Sequence, residues 1–322
     1  MHTYGKLFQI HVWGTSHNPQ MGVIIDSVPP GISLEVTDFE ADLTRRRTGA
    51  YGTSQRSESD VPEIISGVYR GKTTGAPLHI RFTNTGQRSE EYNSREFPRP
   101  GHADMVADKK YHGHNDSRGG GFFSGRMTVL LVAAGVVAKL IMKSLQIRSE
   151  ILYPLNHEAI QQAAKAGDSL GAEIKVHIEG LPAGTGEPFF SSIESEISRI
   201  VFSIPGAKAI AFGEGFKADR MYGSDFNDAI INEEGKTETN HDGGINGGIA
   251  NGNPIVFTVK FKPTPSIRKT QKSWHPKSNS REEISIHGRH DVCYGLRTPV
   301  ILEAVAAIAL LDLSMQKKAK EI

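Results

Sequence analysis

Four short polar segments of this chain combine residue types suited to binding anions and moving protons. The first is Gly14-Thr15-Ser16-His17-Asn18, and the second is Arg45-Arg46-Arg47 with Arg56 further on. The third joins Arg99-Pro100-Gly101-His102-Ala103-Asp104 to the glycine-rich stretch Arg118-Gly119-Gly120-Gly121-Phe122-Phe123-Ser124-Gly125-Arg126. The fourth is Gly288-Arg289-His290-Asp291, with Arg297 nearby. Guanidinium forks take carboxylates and phosphates in a bidentate way. A helix N-terminus adds amide donors for an anion, and an imidazole near its ordinary pKa exchanges protons at neutral pH. Together these residues suit a small polyanionic substrate and proton transfer. Taken singly, each has a plainer alternative. A helix-end arginine run complements the helix dipole, Gly119–Gly121 can be a simple turn, and Asp291 beside Arg289 can be a surface ion pair. Cys293 reads as a buried small hydrophobe, and His112 and His114 lack companions at metal-ligand spacing.

The elements that must position these segments follow from apolar periodicity. Residues 7–13 and Met21–Asp26 read as strands with the polar loop 14–20 between them, and Pro77–Phe82 as a third. Asp38–Thr48 reads as a helix capped by Thr37 or Asp38. Gln87–Arg118 is polar and irregular, as functional loops are. Arg126–Gln146 reads as one long helix, apolar nearly all round, and Thr298–Met315 as a second, so both belong in a core or a subunit interface. Glu158–Ala166 reads as a short helix, and Gly171–Glu179 and Pro254–Phe261 alternate as strands. Lys262–Arg281 reads as a mobile basic loop. Strands and helices do not alternate strictly, so an α+β layered arrangement is expected over a doubly wound sheet. No linker divides the chain, and one domain over residues 1–322 is expected.

Composition narrows the partners. Lys+Arg is 37 against Asp+Glu 36, a net charge of +1, so there is no global pull toward nucleic acid or a membrane and any basic site is local. With one cysteine, no internal disulfide forms, which fits a reducing cytoplasmic setting. The apolar run Val129–Ala138 falls short of the ~20 residues a membrane span needs, and the first residues carry no apolar core of signal-peptide length.

In this order, the segments resemble the chorismate synthase family. Residues 14–18 resemble its opening Gly-Glu-Ser-His-Gly, and 45–47 its arginine run. Arg99–Asp104 matches Arg-Pro-Gly-His-Ala-Asp, and Gly119–Thr128 resembles its Gly-Gly-Gly-x-x-Ser-x-Arg-x-Thr segment. Ser66–Val68, Gly71–Gly75, Asn240-His241, Gly243-Gly244, Lys262–Ile267 and Gly288–Cys293 also fit, so the resemblance runs from about residue 5 to residue 313. Thr15 and Asn18 depart from the usual Glu and Gly, Phe122 and Phe123 from a common Arg-Ser, and Val292 from a common Pro.

The resemblance implies a sandwich with central apolar helices between antiparallel sheets, assembled as a homotetramer. It implies a lyase that removes phosphate from 5-enolpyruvylshikimate 3-phosphate by 1,4-anti elimination with reduced FMN (FMNH2), the last step of the shikimate pathway. NADPH or another cellular reductant would supply the electrons. His102 is implied to protonate the reduced flavin, His17 to assist near the departing phosphate, and Asp291 to relay the proton taken from the ring. Arg46, Arg126, Arg289 and Ser124 are implied to bind the substrate. Flavin contacts are implied for Arg46, Phe122, Phe123, Ser124, Glu238, Thr239, Gly252, Lys262, Pro263, Thr264, Pro265, Ser266 and Arg289. A non-catalytic phosphate or nucleic-acid binder is the rival reading. Near-zero net charge and the lack of an aromatic-basic stripe count against it.

Overall fold

The computed structural model describes residues 2–49, 51–54, 59–84, 97–154, 156–286, 288 and 290–321; Arg56 and Arg289 lie outside them. One antiparallel sheet takes β1 (Thr3–Tyr4), β2 (Ile10–Trp13), β3 (Gln20–Ile25), β4 (Pro62–Ser66) and β5 (Leu78–Thr83) in the order β1-β2-β3-β5-β4. A second takes β6 (Gln146–Tyr153), β7 (Ala172–Glu179), β8 (Ala207–Phe212) and β9 (Ile255–Phe261) in the order β8-β9-β7-β6. The main helices are α1 (Glu40–Arg46), α2 (Asp104–Lys110), α3 (Thr128–Ile141), α4 (His157–Lys165), α5 (Ile193–Val201) and α6 (Thr298–Lys320).

Strand periodicity explains the layers. Every second residue of β7 is buried (Ala172, Ile174, Val176, Ile178), and so is every second residue of β9 (Ile255, Phe257, Val259, Phe261). The register sets Phe257 opposite Val176 and Val259 opposite Ile174. In the first sheet, Met21, Val23 and Ile25 stand opposite Phe82, Ile80 and Leu78, all fully buried. Each sheet thus has one apolar face, worth about 1.5–3 kcal/mol per buried large aliphatic side chain. The helices cover those faces: α3 lies on β3, and α6 on β6 and β7, with α3 against α6 between the sheets. This is the expected α+β sandwich.

Gly135 of α3 lets the two central helices meet, since a Cβ there would lie 2.3 Å from Cβ of Ala304. By length and composition α6 is apolar enough to cross a membrane, but 83% of its most apolar window is buried inside the fold, as in a core helix.

The structure corrects several expected boundaries. The helix expected to reach Gln146 ends at Ile141; beyond it Leu145, Ile147 and Ile151 pack on the core at odd positions, a strand's period, and β6 forms instead. The polar stretch before Arg118 contains α2, only seven residues long. The basic stretch expected to be a mobile loop contains the antiparallel hairpin Gln271–His275/Ser280–Ile284. Helix α5 and strand β8 were not expected at all, although Ser192 caps α5 and Ile193, Ile197 and Ile200 mark its buried face.

Candidate active site

The first polar segment turns the chain from β2 into β3. Gly14 has φ +86°, and a Cβ there would meet the carbonyl of Gln20 at 2.8 Å, so the turn requires glycine. His17 is only 6% exposed, with Nδ1 3.0 Å from the Ser16 hydroxyl. Its ring rests on the glycine-rich segment: a Cβ on Gly119 would lie 2.2 Å from His17 Cε1. The Ser16 amide donates to the Gly121 carbonyl at 3.2 Å, locking the loop to that segment.

The third segment folds on itself around Arg99. Its guanidinium donates to both oxygens of Asp104, Nε to Oδ2 and Nη2 to Oδ1 at 2.7 Å each, and Nη2 also donates to the Gly119 carbonyl at 2.6 Å. His102 Nδ1 lies 2.6 Å from Asp104 Oδ1. Burial pushes the Asp104 carboxyl up, but hydrogen bonds from Arg99 and His102 outweigh it and hold the group well below the usual carboxylate range.

Beneath the cavity lies a buried ion triad. Arg46 Nη2 donates to Asp60 Oδ2 at 2.5 Å, and Arg126 Nη1 donates to Asp60 Oδ1. The Asp60 and Arg46 side chains are wholly buried and that of Arg126 is 9% exposed. Burial raises the Asp60 carboxyl, yet the two arginines prevail and keep it below its ordinary value. Arg126 Nε also donates to Asn84 Oδ1 at 3.2 Å. Ser124 caps the turn that carries Arg126: its Oγ accepts the Arg126 amide at 3.2 Å, leaving the hydroxyl hydrogen to donate elsewhere.

Asp291 reaches the site from the chain just before α6. Its Oδ1 accepts the Ser54 amide at 2.6 Å, and Oδ2 lies 3.4 Å from Arg297 Nη1. Arg297 Nε donates to the Arg46 carbonyl at 2.9 Å, tying the entrance of α6 to the end of α1. Burial pushes the neighbouring Tyr294 phenol up to about 12, so it stays protonated.

A cavity of about 570 Å³ opens where these segments converge. His17, His102, Ser124, Arg126 and Asp291 all line it, as do Phe122 and Phe123. The Lys262–Ser266 stretch forms another wall, and Lys262 Nζ donates to the Gly101 carbonyl at 2.5 Å. Its volume falls in the ~300–1,000 Å³ range of small-molecule sites.

Other expected site residues lie elsewhere. Arg46 is outside the lining, behind it in the ion triad. Glu238, Thr239 and Gly252 are also outside the lining, exposed between β8 and β9, where Thr239 Oγ1 donates to Asp228 at 2.7 Å. Arg289 lies outside the described residues.

Several site residues carried no assigned role from sequence: Arg99, Asp104, Asp60, Tyr294 and Arg297. Arg99 and Asp104 flank His102 in the same hexapeptide, and an acid two places from a candidate base was the available signal. Nothing local marks Asp60.

The residues present fit a flavin mononucleotide. Phe122 and Phe123 offer aromatic contact, and Lys262 a cation. Among the described residues the Thr264 hydroxyl, buried on a wall of the cavity, has no hydrogen-bond partner, as expected of a group awaiting an acceptor.

Comparison with known proteins agrees with the motifs. The family described as chorismate synthase matches residues 8–153 and 152–315. A chorismate synthase of Chitinophaga pinensis is 52% identical over 318 residues, covering 97% of this chain and 96% of the relative. One of Aeropyrum pernix is 37% identical over 353 residues, covering 98% and 93%. A crystal structure of chorismate synthase superposes with a TM-score of 0.74 at 23% identity, covering 98% of this chain and 93% of that one, and shows that the fold is shared. On this evidence the chain belongs to the chorismate synthase family, lyases that convert 5-enolpyruvylshikimate 3-phosphate into chorismate and phosphate in aromatic amino acid biosynthesis.

Proposed function

We propose that the cavity holds reduced FMN and the phosphorylated substrate together, and that the two histidines and Asp291 serve the 1,4-anti elimination from the positions described above. The observation that carries this reading is the convergence of His17, His102, Asp291, Ser124 and Arg126 on one cavity from segments far apart in sequence. Reduced flavin, when bound, supplies electron density to the breaking C–O bond and a nitrogen that accepts the ring proton. Phe122, Phe123, Ser124 and Lys262–Ser266 would hold it, with Arg289 as a further contact.

The protein's own groups do the rest. Arg126, held in place by Asp60 and Asn84 and lining the cavity, presents its guanidinium charge to the substrate's anionic groups. Positioned cations compensate the charge that develops as phosphate departs. His17, steadied by Ser16, donates a proton near that phosphate. Ser124 Oγ offers its hydrogen to a substrate oxygen. Asp291, oriented by the Ser54 amide and Arg297, carries onward the proton that has left C6.

The test is an anaerobic assay with chemically reduced FMN and 5-enolpyruvylshikimate 3-phosphate, following chorismate. We expect turnover only with the reduced flavin, which is unchanged at the end. Equal turnover with oxidised FMN, or with none, would refute the reading. Adding NADPH to oxidised FMN in the same assay separates self-reduction from an external reductant. We also propose one domain over the whole chain, a cytoplasmic location and a homotetramer. Exposed apolar residues such as Phe189 and Phe190, 86% and 92% exposed, offer surface for that assembly, and light scattering would check it.

A further inference from the structure

We infer that Asp104 is a positioning residue that fixes His102 in its Nδ1–H tautomer, so that Nε2 is the atom through which this histidine exchanges protons with the cavity. The inference rests on the reading of His102 as a residue that acts in the reaction.

The argument begins with which groups are charged. Asp104 receives three donations from Arg99, from the backbone amide at 3.0 Å and from Nε and Nη2 at 2.7 Å each. A carboxylate so held is ionised at neutral pH and has only lone pairs to offer. Its Oδ1 lies 2.6 Å from His102 Nδ1. Without a hydrogen on Nδ1, the ring nitrogen's lone pair and the carboxylate's negative charge would sit 2.6 Å apart, which is repulsive. With one, the N–H dipole, or the imidazolium charge, attracts the carboxylate.

A second neighbour argues the other way and loses. Arg99 Nη2 lies 3.1 Å from the same ring nitrogen, where it would suit a lone pair on Nδ1. The carboxylate is 0.5 Å closer (3.1 against 2.6 Å). Moreover, Nη2 already serves Asp104 at 2.7 Å and the Gly119 carbonyl at 2.6 Å. Its hydrogens are therefore occupied, and Nδ1 takes the donor role.

A consequence follows for the proton. A ring whose Nδ1–H is committed can accept only at Nε2, or donate only from Nε2 once charged. His102 lines the cavity, and no hydrogen bond to the described residues involves Nε2. Arg99 anchors the arrangement to the rest of the site through the Gly119 carbonyl and through Ser266 Oγ at 3.3 Å. Thus the wall beside His17 and the Lys262–Ser266 wall share one guanidinium with the acid that orients His102.

Neutron diffraction from deuterated crystals of the flavin-free protein tests this directly. The crystals should be held at alkaline pH, since a neutral imidazole carries one deuteron. The expected map has a deuteron on His102 Nδ1 and none on Nε2. A deuteron on Nε2 with bare Nδ1 would overturn the inference, and that result needs no variant. Asp104→Asn sharpens the test: its single oxygen is claimed by Arg99, its amide N–H faces Nδ1, and the deuteron is expected on Nε2. A variant that keeps Nδ1–D also overturns it. Single-turnover chorismate formation with reduced FMN is expected to fall about 100-fold or more, as when a catalytic histidine is left in the wrong tautomer. If the tautomer flips and the rate holds, Asp104 positions the ring as inferred, and it is the catalytic reading of His102 that fails.

Discussion

Both ends of α6 bury aspartates, and they treat them differently. Near its C-terminal end, Asp312 is 2% exposed and accepts the backbone amides of Lys6, Leu7 and Phe8 at 2.7–3.0 Å, with Gln316 Nε2 at 2.8 Å. Those donors are fixed amides, and the carboxylate's acceptor sites are filled from within the fold. At the N-terminal end, Asp60 and Asp291 pair with Arg46, Arg126 and Arg297 beside the cavity that Asp291, Arg126 and Arg297 line. An acid saturated by amides staples the chain. An acid paired with an arginine holds a cation in place beside the volume a ligand would fill. Burial alone does not distinguish the two; the donor type and the adjacent empty volume do.

The largest expected effect lies at the cavity end. His17→Ala and His102→Ala should each slow single-turnover chorismate formation by about 10²–10⁴-fold, the usual contribution of a positioned acid or base. Far-UV circular dichroism should stay native. The titration of bound reduced flavin should move with His102→Ala and stay put with His17→Ala. Near-normal rates for both would dissolve the contrast between the two ends, and equal shifts would remove the division of labour.

Removing one acid from each end compares them directly. Asp60→Ala strands two buried guanidinium groups, which typically costs about 3–5 kcal/mol. Asp312→Ala strands only neutral amides, at about 1–3 kcal/mol. Urea unfolding of the two variants should give that order. The reverse order would mean that Asp60 and its arginines are better solvated than their burial implies.

Arg126→Lys probes the cation instead of the acid. Lysine keeps the charge and loses the fork that serves Asp60 and Asn84 at once. Substrate affinity should weaken by about 1.5–3 kcal/mol, the worth of a charge-assisted hydrogen bond, read by calorimetry. An unchanged Kd would take Arg126 out of the substrate site.

The smallest effect is set by pH. The Asp60 carboxyl is lowered in the folded protein, so its contribution to stability is full above the unfolded value of ~3.9. It is lost as pH falls below that value toward the folded one. Wild type should therefore lose stability more steeply than Asp60→Asn on acidification below about pH 4. Parallel profiles from thermal unfolding would show that Asp60 titrates alike in both states.

Much of this could be read from residue order. The alternation in Ala172–Glu179 and Ile255–Phe261 marked two core strands to within a residue, because period-2 burial is written into the residue types themselves. The near-continuous apolar runs of α3 and α6 marked the central helices for the same reason. Less was legible where signals compete. The end of α3 fell five residues short of its expected limit because Leu140, Ile141 and Met142 suit either a helix or a strand.

The sequence by itself determined the layered α+β core, the chemical character of the site and the family, since these rest on local periodicity and on ordered motifs. Only the tertiary structure decided which charges meet. Ser54 caps Asp291 across 237 positions, and Arg45 reaches Glu303 across 258. Asp60, from a stretch with no motif of its own, became the buried partner of two arginines, and Arg46 passed from expected ligand contact to a place behind the cavity wall. An ion pair depends on where two distant segments cross and on how much water is left between them. Neither quantity has a period along the chain, so no reading of neighbours could have supplied it.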